Sequence, residues 1–136
     1  MDLYIMEEDV IRNIQRNFRE VYPHLKLQFY KNPHMHGSPS PAGEKLSPLL
    51  AIEEVTMFHT SGKVNIDPDR TVAQVEYDFF RNLGLCVQVF RQSGDMWLET
   101  TDTDDWTLQR QEQRAIESLE HPHWHETEDF GLGDVG

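Results

Sequence analysis

Cysteine is the scarcest chemistry in this chain. Cys86 stands alone, which excludes an intrachain disulfide and fits a reducing cytoplasm. A thiol becomes a nucleophile only beside an activating partner, and none stands near Cys86, so it reads as an inert strand residue. Long apolar runs are missing as well: none reaches the roughly 18 residues that a membrane span needs. The opening MDLYIMEEDV has neither the basic region nor the apolar core of a secretory signal. Positive charge is in deficit, with 12 Lys and Arg against 24 Asp and Glu, a formal charge of -12. That balance argues against nucleic acid, whose binders need a basic footprint, and against anionic membrane surfaces.

Familiar catalytic motifs are absent too. The chain has no G-x-S-x-G, no G-x-x-x-x-G-K-[ST] and no G-x-G-x-x-G. Gly131-Leu132-Gly133 lacks the strand and helix that a nucleotide fingerprint requires. No pair of histidines flanks a glutamate with the helical spacing of a zinc hydrolase.

What is present centres on Thr71 to Trp106. Thr71-Val72-Ala73-Gln74 has the form of a capping box, and Val72, Val75, Phe79 and Leu83 recur at helical spacing. Gly84 stands where a left-handed residue closes a helix. Leu85, Val87 and Val89 alternate with Cys86, Gln88 and Phe90, and Gln92-Ser93-Gly94-Asp95 is turn chemistry, so 85–91 and 96–101 read as a hairpin. A similar order stands earlier. Ile11, Ile14 and Phe18 mark a helix after Glu7, Glu8 and Asp9, whose acids suit a first turn, and Leu25, Leu27 and Phe29 mark a strand after Pro23. Leu108, Ala115, Ile116 and Leu119 mark a third helix, capped by Asp105 or Thr107.

These patterns lead us to expect an α+β fold in two layers. Helices pack on one face of a mostly antiparallel four- or five-stranded sheet, with a duplicated α-β-β unit as one account of the echo. Residues 1–120 form the single domain, with a proline-rich loop over 31–48 inside it, and 121–136 form an acidic, His-rich tail.

The stretch VQVFRQSGDMWLETTDTDDWTLQRQ resembles a small bacterial domain family with the pattern R-x-S-G-x-x-W-x-E-T-T followed by T-D-x-W-T-L-x-x-Q. Arg91, Ser93, Gly94, Trp97, Glu99, Thr100, Thr101, Thr103, Asp104, Trp106, Thr107, Leu108 and Gln111 carry it. The resemblance covers about a third of the chain and implies a fold, with no activity attached.

Three function classes remain, of which a small-ligand binder with a pocket between helices and sheet has no specific residues to mark it. From Asp95 onward there are 12 acids against two arginines, whereas residues 1–31 hold five of each. Negative charge beside aromatics suggests a non-enzymatic cytoplasmic protein-interaction domain, its acidic face built from Arg91, Trp97, Glu99, Asp102, Asp104 and Trp106 and its partner a basic protein. Self-association through an edge strand would make it a homodimer. No cofactor is expected in that case. The alternative is a metal-binding protein or metal-dependent enzyme holding zinc or another divalent transition metal. Its ligands would be His121, His123 and His125, which an extended backbone places on one side, with His34 and His36 completing the set. Asp102, Asp104 and Asp105 do not make a calcium loop, because Trp106 takes the third ligand position and no glycine follows. Arg91 and Ser93 at the hairpin tip read as turn stabilisation rather than an anion site.

Overall fold

The computed structural model describes residues 1–32, 42–56 and 61–120. Within them the order is β1 (Asp2–Ile5), α1 (Ile11–Val21), β2 (Leu25–Tyr30), a 3-10 turn (Ala42–Glu44), α2 (Ile52–Val55), β3 (Gly62–Asn65), α3 (Val72–Leu83), β4 (Cys86–Ser93), β5 (Met96–Glu99) and α4 (Leu108–Glu120). The fold is mixed α+β. The five strands among the described residues divide between two antiparallel sheets, β1 with β3 and β2–β4–β5. No described helix is long and apolar enough to cross a membrane.

Local chemistry explains the helices. Thr71 Oγ1 accepts from the Gln74 amide at 3.1 Å and Gln74 Oε1 accepts from the Thr71 amide at 3.0 Å, so the expected capping box starts α3. Gly84, at φ 67°, ends it. Thr107 Oγ1 accepts from the Arg110 amide and is the cap of α4. The start of α1 differs from expectation. Its acids fall in the turn before the helix, where Asp9 Oδ2 accepts from the Met6 amide. The orphan amides of Ile11 and Arg12 donate instead to the carbonyls of Leu50 and Pro48, so the segment before α2 caps α1.

β1 is an addition to the expected elements. Only Leu3 and Ile5 are buried along it, too short an alternation to stand out in sequence. In the larger sheet Leu27 pairs with Val89 and Phe29 with Val87, and this side of the sheet meets the helices through an edge-on contact of Phe29 with Phe79, centroids 6.0 Å apart. Ile11, Ile14, Phe18, Val72, Val75 and Leu108 complete the same buried cluster. The hairpin turns on Gly94, at φ 60°, between the paired residues Ser93 and Met96.

β2 is an edge strand, yet its outer edge is shielded. Gln15 Nε2 donates to the Leu27 carbonyl at 2.8 Å, and Leu46 donates to the Phe29 carbonyl at 2.8 Å.

Candidate functional site

The six residues expected to share an acidic face lie in different environments. Strand alternation separates them first. Arg91 pairs with Leu98, whereas Trp97 pairs with Gln92, so Arg91 and Trp97 project from opposite faces of the sheet. Burial separates them further. Arg91 is fully buried and Asp104 is 4% exposed; Trp97, Glu99 and Trp106 are half-buried, and Asp102 is exposed.

Arg91 belongs to a buried network on the helix side. Its Nη1 donates to Gln111 Oε1 at 2.8 Å, and Gln111 Nε2 donates to the carbonyl and hydroxyl of Thr103 at 2.8 and 3.0 Å. Trp106 lies between two guanidinium groups, 3.8 Å from that of Arg110 and 5.4 Å from that of Arg91. The backbone of this turn also caps α3: the amides of Val72 and Ala73 donate to the carbonyls of Trp106 and Asp104. Thr100 Oγ1 donates to the Val89 carbonyl at 2.8 Å, and Ser118 Oγ accepts from the Gly94 amide at 3.1 Å. The polar residues of the T-T-x-T-D-x-W-T-L-x-x-Q stretch thus hold turn, hairpin and helix together.

Trp97 belongs to a different cluster. Lys26 Nζ sits 4.5 Å from its ring centroid and the Arg19 guanidinium 5.1 Å from it. Beside it, Phe90 lies under Lys26 at 5.7 Å and Lys45 at 5.9 Å. Three cations thus converge on two aromatic rings. Burial, and then the charges of Lys45 and Arg19, hold the Lys26 ammonium below its ordinary range. Glu99 shares this sheet face, since it pairs with Phe90 two residues beyond Trp97.

The cluster opens into a groove of about 490 Å³ between α1 and β2, whose lining includes Arg12, Arg16, Arg19 and Lys26, with Glu20 the one acid among the described residues that line it. Among the described residues none of these four cations forms an ion pair. Arg16 donates to Asn13 Oδ1 and Arg19 to the Pro23 carbonyl, both neutral. Lys63 and Arg70, by contrast, are paired with Asp2 and Asp78. The overall charge of -12 hides this concentration. The signal that reveals it is the spacing of Arg12, Arg16 and Arg19, one side of a helix, followed by Lys26 on the next strand.

The Cys86 thiol is pushed up by burial and by Glu44, which suits an inert side chain. His121, His123, His125, His34 and His36 all lie outside the described residues, and the described residues hold no cluster of three or more His, Cys, Asp or Glu fit for a metal. No family model, curated protein or solved structure matches the chain.

Proposed function

We propose that this chain is a non-enzymatic cytoplasmic domain that binds another protein through the surface around Trp97. The observation that carries the reading is Trp97 itself: half-buried, bracketed by Arg19 and Lys26, with Phe90 beside it and Glu99 on the same face. A large aromatic with cations on its face is the composition of an interface anchor. Arg91 and Asp104 serve this surface only indirectly, by fixing the hairpin and turn behind it. Of the other expected residues only Glu99 shares the Trp97 face, whereas Trp106 packs against Arg91 on the opposite side of the sheet. The single cysteine supports the cytoplasmic assignment.

We further infer that the chain is a duplication whose helices form one layer. Leu3 and Ile5 recur as Val64 and Ile66, and Ile11, Ile14 and Phe18 as Val72, Val75 and Phe79, at a shift of 61. Gln28 recurs as Gln88 at a shift of 60. Strand pairing supports it, because Leu3 pairs with Val64 and Gln28 with Gln88, each residue with its own counterpart. That is the pairing a local two-fold axis imposes on two copies, and it makes the repeated unit β-α-β in place of the expected α-β-β.

A pull-down from native lysate tests the function, using the full chain and its Trp97→Ala variant, each with and without chelator. A stoichiometric protein lost in Trp97→Ala and indifferent to chelator is the expected result. A partner that ignores Trp97→Ala, or that chelator removes, would refute the reading and turn attention to the histidines.

A further inference from the structure

The groove between α1 and β2 says what kind of partner the Trp97 surface takes, and the argument rests on that surface being the binding site. Arg12, Arg16, Arg19 and Lys26 against Glu20 give the groove a net charge of +3, so the remainder of a chain of -12 carries -15. With two acids for every base in the sequence, neutralising partners are plentiful, and Lys63 and Arg70 have found theirs. Among the described residues the groove cations have not. Like charges four apart on a helix repel, so Arg12 and Arg16 are held side by side against their own repulsion. An anion laid along the groove removes that repulsion.

Geometry narrows the anion. Arg12 and Arg16 are separated by about 6 Å along the helix axis, and Arg12 and Arg19 by about 10 Å. Alternate side chains of an extended peptide stand about 7 Å apart, so carboxylates at two alternate positions match Arg12 and Arg16, and the next lies a few Å past Arg19, within the reach of that long side chain. The peptide does not join the sheet, because Leu27 is fully buried and its carbonyl already accepts from Gln15. Side chains, not backbone, make the contact. A nucleic acid fits less well: its charge recurs at every unit and meets Glu20 in the groove, Glu99 beside Trp97 and the negative field of the whole chain. A peptide can place carboxylates on the arginines alone and an apolar side chain on the rings.

We propose that the groove holds an extended acidic segment of a partner protein, its carboxylates on Arg12, Arg16 and Arg19 and an apolar side chain against Trp97 and Phe90. The test is fluorescence anisotropy on the full chain with three labelled probes of equal length: an alternating glutamate–leucine peptide, its glutamine counterpart, and an oligothymidylate. The glutamate peptide is expected to bind in a salt-sensitive way and the other two more weakly. Arg16→Glu should weaken it about tenfold, whereas Arg81→Glu, an equal charge change at an exposed site on α3, should weaken it less than about twofold. Circular dichroism confirms that both variants fold. Equal binding of the glutamine peptide, tighter binding of oligothymidylate, no binding of the glutamate peptide at low salt, or equal losses in the two variants would each overturn the proposal. Trp97→Ala separates the two readings. Loss in Arg16→Glu alone supports the groove and removes the Trp97 anchor, whereas a lysate partner that needs Trp97, with no affinity for the glutamate peptide, overturns the groove alone.

Discussion

Arg91 of β4 and Gln111 of α4 meet at 2.8 Å in the interior, the guanidinium donating to the side-chain carbonyl of the amide. The amide's other end holds the carbonyl and hydroxyl of Thr103, so one side chain joins strand, helix and turn. Buried polar groups are costly only when a partner is withdrawn, and Gln111→Leu withdraws three bonds at once. We expect it to lower unfolding free energy by about 2–4 kcal/mol. Arg91→Met with Gln111→Leu should cost less than the sum of the single changes, because both ends of their shared bond then become apolar. Urea denaturation of the four proteins in that cycle checks it, and a strictly additive result would mean the two side chains do not act together.

A second buried group completes the sheet where a strand stops. β5 ends at Glu99, and Thr100 satisfies the Val89 carbonyl but leaves its amide without a strand partner. Glu76 of α3, 8% exposed, supplies the acceptor: its Oε2 lies 2.9 Å from the Val89 nitrogen and 3.3 Å from Gln88 Nε2. Glu76→Leu should cost about 1–3 kcal/mol by orphaning that amide, and Glu76→Gln, which keeps a carbonyl oxygen there, should cost less. Amide hydrogen exchange at Val89 gives the local reading, with faster exchange in Glu76→Leu than in Glu76→Gln.

Much of this fold is legible in the sequence because its signals are local. Thr71, Gln74 and Gly84 define α3 through caps that involve only near neighbours. Ser93 to Met96 defines the hairpin tip in the same way. What is illegible depends on distant chain. Leu50 and Pro48 cap α1 in place of its own acids, and β1 exists because β3 lies beside it. The site follows the same division. Trp97 is visible as a candidate, but its neighbours Arg19 and Lys26 reach it from other elements. Arg91 and Asp104 share its sequence motif and nonetheless lie in the interior.

The local cap at Gly84 offers a direct check. A φ of 67° is open to glycine and costs a residue with a Cβ about 1–2 kcal/mol. Gly84→Ala should therefore lower stability by about that amount while leaving the denaturant dependence unchanged, since the surface exposed on unfolding stays the same. A loss near zero would mean that the α3–β4 corner relaxes to another conformation.

Alkaline pH probes the interior from another direction. Tyr22 donates its hydroxyl to the Ile66 carbonyl at 2.5 Å; burial first, then Asp67, Glu112 and Asp69, push its phenol up to about 12. Tyr30, 3% exposed, is likewise raised to about 12, by burial and then by Glu99 and Glu76. An unfolded tyrosine ionises near pH 10. Below that both states keep their protons, and the stabilisation from these groups is fully present. Between about 10 and 12 the unfolded chain sheds protons that the folded chain retains, so stability falls with rising pH, by up to one proton's worth of slope per tyrosine. Urea denaturation across this window should show that fall. Tyr22→Phe should remove its share of the fall and leave that of Tyr30, while costing about 1 kcal/mol at neutral pH for the bond to Ile66. If the slope survives in Tyr22→Phe/Tyr30→Phe, the alkaline instability comes from other groups, and the two phenols are not the protons the fold protects.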